Sequence, residues 1–234
     1  MSSPASQPAK AHFFQDVAQL KQDLTAEGRL VSQRVASAMR GLIEQDLDLL
    51  DEVAIGDVEV NALQMAIDDR AFKLLALHQP VAVDLRVIVA AMKINSDLER
   101  VGDLAVNLAE AGRRYLAAGR LQEETLLTRM SEIAETMLEN ALQAFVSGNL
   151  GVAQAVLERD DALDSLRAQA YRRLVEVMID KPSVVNSALE LMLMTRHLER
   201  IGDHATNVAE DVFFVVAGED VRHHAAGLSP SQSQ

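Results

Sequence analysis

A motif of fourteen residues occurs twice in this 234-residue chain, as DLERVGDLAVNLAE at 97–110 and as HLERIGDHATNVAE at 197–210. Nine of these fourteen positions are identical, and two more exchange one aliphatic side chain for another. Upstream, GDVEVN at 56–61 aligns with RDDALD at 159–164, which shifts the offset between the copies from 100 to 103. Repetition at a long spacing is the mark of a repeated structural unit. The chain is therefore predicted to contain two copies of one unit.

Apolar residues recur with helical spacing throughout both copies, and the connections between the periodic segments are short. Three helices are predicted in the first copy, over 11–44, 46–78 and 81–117, and three in the second, over 122–147, 150–180 and 183–217. Pro80 and Pro182 precede the third and sixth helices, where the first turn tolerates proline. The predicted apolar seams of the first unit are Phe14, Val17, Leu24, Val31, Val35 and Leu42; Leu50, Val53, Val60, Leu63, Ile67, Leu74 and Leu77; and Leu85, Ile88, Met92, Leu98, Val101 and Leu108.

The predicted fold is therefore all-α, with two tandem three-helix bundles made of six long antiparallel helices. A helix of about 30 residues spans about 45 Å, so an elongated molecule is expected. The first unit is assigned to 11–119 and the second to 120–218. The polar segments 1–10 and 219–234 are expected to be a disordered leader and a flexible tail.

Composition excludes several classes of protein. Aromatic residues make up 3% of the chain, tryptophan and cysteine are absent, and the net charge is -13. A nucleic-acid-binding protein needs a basic surface, while disulfides and thiolate zinc sites need cysteine. No segment has the length and apolar content of a membrane span or a secretory signal, so a cytoplasmic protein is expected.

Acidic residues at a spacing of four form a stripe in each repeated motif. Glu99 and Asp103 form it in the first copy, and Glu199 and Asp203 form it in the second. Asn107 and Asn207 continue the two stripes. Residues four apart lie on one face of a helix, so each motif presents an acidic face.

The preceding helix of each unit carries a second polar pair at the same spacing, Asp57 and Asn61 in the first copy and Asp160 and Asp164 in the second. About 20 residues separate each pair from the turn before the next helix, so the two stripes should lie level across an antiparallel pair. Facing oxygen ligands suit hard or borderline cations. With four carboxylates against three plus Asn61, the second site is expected to bind a cation more tightly.

The less specific interpretation is a solvated acidic face. The repetition of the stripes and the glycines at 102 and 202 weigh against it, because glycine inside a helix costs about 1 kcal/mol relative to alanine. Something is expected to approach the backbone closely there. Arg100 and Arg200 are expected to neutralise the neighbouring acids, with oxyanion or partner binding as the alternative. His204 is interpreted as an ordinary, partly buried histidine.

The motifs LERVGDLAVN at 98–107 and LERIGDHATN at 198–207, with QPVAVDLRVI at 79–88, resemble the twin signature of the PhoU family of phosphate-uptake regulators. The resemblance covers about residues 12–222. It implies a cytoplasmic, often dimeric, negative regulator of the phosphate-starvation response. Its implied partners are the ATPase of the phosphate ABC transporter and a membrane sensor histidine kinase. It also implies metal ions (Mg, Mn, Fe or Zn) on the acidic stripes, with no organic cofactor. The ligands carried over are Asp57, Asn61, Glu99 and Asp103, and Asp160, Asp164, Glu199 and Asp203.

Three functions follow from these observations. The first is a non-enzymatic, metal-binding signalling adaptor. The second is a metal-dependent enzyme with the carboxylates as a di-metal centre, which the lack of a histidine ligand and of a general base poised near neutrality disfavours. The third is a structural helical spacer.

Overall fold

The computed structural model describes residues 6–55 and 58–218, with side chains from residue 12 onward. Regular structure in these ranges is entirely helical, which confirms the predicted all-α class. Short 3-10 turns at Gln122–Glu124 and Pro182–Val184 precede the fifth and seventh α-helices. The α-helices of the described residues are α1 (Ser6–Glu44), α2 (Leu47–Ile55), α3 (Val58–His78), α4 (Val83–Ala118), α5 (Thr125–Ser147), α6 (Leu150–Asp180) and α7 (Val185–Val216).

The helices pack as two three-helix units, as predicted. In the first unit α1 and α4 pack against each other and against both α2 and α3. In the second unit α5, α6 and α7 pack together. α2 and α3 take the place of the single predicted second helix, and Gly56 and Asp57 between them lie outside the described residues.

The two units join side by side through their last helices, α4 and α7, with a smaller contact between α1 and α5. Lys93 reaches Asp211 at 3.3 Å and Arg114 reaches Glu190 at 3.0 Å, so α4 and α7 run antiparallel. Both twin motifs therefore lie on helices that line the seam between the units.

Helix starts differ from prediction where the turns have their own geometry. α1 begins at Ser6 rather than residue 11, which places Pro8 in its first turn, where a missing N–H is tolerated. α4 begins at Val83 rather than at residue 81, because Gln79 and Ala82 have positive φ angles of 46° and 51°. α6 begins as predicted at Leu150, with Asn149 as its N-cap and Gly148 in the left-handed conformation.

Three residues assigned to the apolar seams are exposed instead. Phe14 is 60% exposed, Leu77 76% and Leu85 40%. Phe13 takes the buried position at this end of the bundle and packs edge-on against the His78 ring at 5.3 Å. The predicted seams leave the core here because positions that repeat every 3.5 residues rotate around a straight helix and no longer face the neighbouring helix at its end. Within 6–55 and 58–218, no helix is both long and apolar enough to span a bilayer.

Candidate cation site

The repeated motif is amphipathic in both units. On α7, Leu198, Ile201 and Gly202 are buried, while Asp203 is exposed and Glu199 is partly buried. The equivalent positions on α4 have the same burial, so the two motifs present the same face in each unit. The helical period thus separates the core side chains from the acidic stripe, as predicted.

In the second unit the structure brings the two acidic stripes together. Burial, followed by repulsion from Asp164 and Asp203, raises the pKa of Asp160 to about 6. Burial and then Asp203 raise the pKa of Glu199, and burial and then Asp164 raise that of Asp203. Asp203 is exposed by surface area, but neighbouring atoms desolvate part of its carboxylate. Four carboxylates on α6 and α7 therefore share one electrostatic environment.

A cation from the protein already lies beside this cluster. The guanidinium of Arg167, one turn beyond Asp164 on α6, donates to the Glu199 carboxylate at 2.7 Å. This contact lowers the Glu199 pKa and so opposes the effect of burial. Sequence analysis missed Arg167, although its position three residues after Asp164 places it near the acidic face.

Close packing of α6 on α7 accounts for Gly202. A Cβ built on Gly202 would lie 2.3 Å from the Cδ2 methyl of Leu163, which is fully buried. The close approach expected from the sequence is therefore confirmed at this glycine, and the approaching group is a leucine of the neighbouring helix. The tight contact also holds Asp160 and Asp164 near the α7 stripe, because they flank Leu163 on α6.

In the first unit, Asp57 lies outside the described residues, and Asn61 is exposed on α3. The α3–α4 register comes from Asn95, which donates to the backbone oxygen of Gln64 at 3.2 Å and to Asp68 at 2.8 Å. One turn further along, this register places Asn61 level with the α4 segment that contains Glu99. The predicted level of the two stripes therefore holds for the residues that the structure describes.

The two motif arginines differ in their surroundings. Arg100 folds back on its own stripe, 3.6 Å from Glu99 and 3.4 Å from Asp103. This contact agrees with the predicted neutralising role. Arg200 is exposed. Burial and then the Arg200 charge lower the pKa of His197, and the same charge partly offsets the burial and the Asp164 repulsion that raise the pKa of Asp203. Binding of an oxyanion or partner at these arginines stays a prediction.

A polar cluster that sequence analysis did not identify lies where α4 meets α7. Nδ1 of His204 lies 2.8 Å from the Asp97 carboxylate, and Asn207 donates to the same oxygen at 3.1 Å. The predicted partly buried histidine is thus confirmed, with a partner in the other unit. The signal in the sequence was the departure from the repeat: Asp97 corresponds to His197, and His204 corresponds to Leu104.

The donor set of the second unit fits a hard cation by chemistry and charge. Across 6–55 and 58–218, no three His, Asp or Glu side chains are positioned to ligate one ion together. Asp164 and Asp203 are exposed and can change rotamer, whereas Glu199 would have to leave Arg167. Cation binding at these carboxylates therefore requires a rearrangement of side chains.

Comparison with known proteins gives one consistent family. The model of the PhoU domain matches twice, over residues 24–112 and 127–212. A phosphate-specific transport system accessory protein PhoU homolog of Caulobacter vibrioides is 36% identical over 213 residues, which cover 89% of this chain and 91% of the relative. A homolog of the same description from Aquifex aeolicus is 35% identical over 211 residues, which cover 90% of this chain and 96% of the relative.

Two solved structures share the fold. The crystal structure of PhoU from Pseudomonas aeruginosa has a TM-score of 0.84 and 32% sequence identity, covering 88% of this chain and all of the other. The phosphate transport system regulatory protein PhoU from Streptococcus pneumoniae also has a TM-score of 0.84, at 27% identity, covering 89% of this chain and 99% of the other.

Proposed function

Because this chain belongs to the PhoU family, we propose that it is a cytoplasmic, homodimeric negative regulator of phosphate uptake and of the phosphate-starvation response. It acts as an adaptor between the ATPase of the phosphate ABC transporter and a sensor histidine kinase. The observation that carries this proposal is the match to phosphate-specific transport accessory proteins over about nine-tenths of the chain. Both repeats take part in that match, so the whole molecule, and not one bundle, is the functional unit.

The second element of the proposal is cation binding by the acidic cluster of the second unit, Asp160, Asp164, Glu199 and Asp203. Burial and then mutual repulsion raise the pKa of three of these carboxylates, and a bound cation would relieve that repulsion. Mg²⁺, Mn²⁺, iron or Zn²⁺ would be held through these oxygens. In the first unit, Glu99, Asp103, Asn61 and Asp57 form the weaker counterpart, because it contains one fewer carboxylate.

The regulatory role is tested in a bacterial host that lacks its own PhoU and carries a reporter driven by a phosphate-starvation promoter. This chain should repress the reporter in phosphate-rich medium. An affinity pull-down from the same cells, read by mass spectrometry, should recover the transporter ATPase or the sensor kinase. Full reporter activity together with recovery of neither partner would contradict the adaptor role.

Cation binding is tested separately on purified protein by titration calorimetry with MnCl₂. The variant Asp164→Asn/Asp203→Asn removes the two exposed carboxylates and should weaken binding at least about tenfold. The matched control is Glu132→Gln/Glu139→Gln, which neutralises two exposed acids on α5 and should bind as the wild type does. Equal binding by all three proteins would place the cation elsewhere.

One observation favours the enzymatic alternative. No general base near neutrality is evident from the amino-acid sequence, but burial and neighbouring carboxylates raise the pKa of Asp160 to about 6. In the metal-free protein a base with such a pKa is suited to proton abstraction near pH 7, and a cation bound in the cluster would lower that pKa. Turnover of a phosphoester by the Mn²⁺-loaded protein, abolished in Asp160→Asn, would establish this function. Absence of turnover with a broad phosphoester panel would leave the adaptor role.

A further inference from the structure

α3 carries a second apolar row on the side that faces away from its own bundle. The buried row, which includes Val60, Ile67 and Leu74, packs into the core. The opposite row, called here the outer seam, has successive steps of 4, 3, 4, 3 and 4 residues, and five of its six members are apolar. It consists of Val58, Ala62, Met65, Asp69, Phe72 and Ala76.

The outer seam is exposed although it has the spacing of a helix–helix interface. Val58 is 82% exposed, Met65 67% and Phe72 58%. Alternating steps of 3 and 4 residues are the pattern by which one helix packs along another. An exposed, contiguous row of large apolar side chains marks an interaction surface.

The second repeat shows that the unit does not need this row for its own fold. The offset of 103 places Asp161, Ser165 and Arg172 of α6 at the positions of Val58, Ala62 and Asp69. The same face of the middle helix is therefore half polar in the second unit. Both units have the same three-helix architecture, so the bundle does not need the apolar residues of the outer seam in order to fold. These residues therefore indicate a partner outside the bundle.

We propose that the outer seam binds the outer seam of a second copy of this chain, with the two α3 helices antiparallel about a twofold axis between Arg70 and Ala71. The inference rests on the homodimer proposed above and assigns its interface. In this register Met65 lies opposite the partner's Ala76, which places a large side chain against a small one. Phe72 and the partner's Phe72 lie on either side of the axis. A twofold interface must be self-complementary in this manner.

Charge is what selects a second copy as the occupant. Asp69 is the charged member of the seam, and its carboxylate lies 2.5 Å from Lys73 on its own helix. About the proposed axis, Lys73 comes level with the partner's Asp68, one residue from the partner's Asp69. Each Asp69 carboxylate therefore has its own Lys73 beside it and the partner's Lys73 about 1.5 Å from its level along the seam. Burying a charge is tolerated when such partners are present.

The register is tested by cysteine cross-linking. Only the introduced cysteines can form disulfides, because the chain contains no cysteine of its own. The variant Met65→Cys/Ala76→Cys should form a covalent dimer on mild oxidation. Within one helix the two cysteines are about 16 Å apart and cannot bond. Each single variant is a control, since its own cysteines would be about 16 Å apart across the axis. Cross-linking of Met65→Cys alone, or no cross-linking of the double variant, would overturn the register.

The interface itself is tested by sedimentation equilibrium on purified protein. Phe72→Asp should raise the dimer dissociation constant at least about tenfold. Val175→Asp, at the corresponding position of α6, should leave it unchanged. Asp69→Lys should also weaken the dimer, and Asp69→Lys/Lys73→Asp should restore it. A wild type that stays monomeric over the concentration range, or a Phe72→Asp variant that dimerises normally, would overturn the proposal. The reporter assay measures repression separately, so failure of this interface is distinguishable from failure of the regulatory role.

Discussion

At the scale of single residues, the acidic cluster of the second unit lowers the stability of the folded state at neutral pH. Asp160 is partly buried on α6 among carboxylates, and its pKa of about 6 lies above the ordinary value of 3.8. The folded state therefore holds the proton more tightly than the unfolded state does. Stability from this group is present below about pH 4 and is lost as the pH rises through 6.

The variant Asp160→Asn should consequently be more stable than the wild type at pH 7. Solvent screening of this partly exposed group reduces the gain to on the order of 1 kcal/mol. The difference should shrink as the pH falls from 7 to 4. Urea denaturation in EDTA buffer at several pH values measures it, with Asp180→Asn, an exposed acid at the end of α6, as the control. A variant that is less stable at pH 7 would show that repulsion is not the dominant effect.

At the scale of helices, two glycines with different surroundings separate close packing from helix propensity. A Cβ at Gly202 would meet buried Leu163 at 2.3 Å, whereas one at Gly112 would meet Leu50 and Leu42 at 3.6 Å and beyond. Overpacking costs about 1–3 kcal/mol, and replacing glycine by alanine within a helix contributes up to about 1 kcal/mol. The two effects oppose each other at Gly202 but not at Gly112.

Gly202→Ala should therefore lower the free energy of unfolding by about 1–2 kcal/mol. Gly112→Ala should leave it unchanged or raise it by up to about 1 kcal/mol. Thermal and urea denaturation of the two variants measure these changes. Equal effects of the same sign would mean that Leu163 moves aside at little cost, and that the α6–α7 distance is not set by this glycine.

The N-cap of α6 gives a second prediction at this scale. The Asn149 side chain accepts from the backbone N–H groups of Gly151 at 2.9 Å and Val152 at 3.2 Å. Asn149→Ala should destabilise the protein by about 1 kcal/mol, and Asn149→Asp should retain most of the stability. Denaturation measurements on the pair test this. Full stability of the alanine variant would show that water satisfies these donors equally well.

At the scale of the whole molecule, polar contacts between α4 and α7 join the two units across their seam. Asp97 accepts from Asn207 and pairs with His204, which places α4 of the first unit in register with α7 of the second. Both partners are mostly buried, at 17% and 16% exposed side-chain area. A buried, hydrogen-bonded pair of this kind is expected to show coupling in a double-mutant cycle.

The cycle of Asp97→Ala, His204→Ala and the double variant should give a coupling free energy of about 0.5–3 kcal/mol. Urea denaturation at pH 7 measures each member. The exposed pair Arg173 and Glu176 on α6, 3.3 Å apart, is the control and should couple by less than about 0.5 kcal/mol. Additive effects at Asp97 and His204 would mean that apolar packing of α4 on α7 joins the units without help from this pair.

Much of the architecture could be predicted from the sequence because it depends on periodicity, and periodicity is a local property of the chain. The repeat at 97–110 and 197–210 gave the two units, and the apolar spacing gave helices whose ends mostly lie within a few residues of those observed. The spacing of four, together with equal distances from a turn, was enough to place Asp160 and Asp164 beside Asp203. These results need only the pitch of a helix and the antiparallel packing of neighbours.

The helical class, the duplication and the level of the acidic stripes therefore follow from the amino-acid sequence alone. The packing of the helices determines which side chains meet between the units and which apolar residues stay exposed. His204 contacts Asp97 across the seam, Arg167 donates to Glu199, and Phe72 is exposed. The physical reason is that pitch fixes the direction and height of a side chain on its own helix. What lies opposite depends on how the two bundles dock, which is set by the packing of both surfaces together.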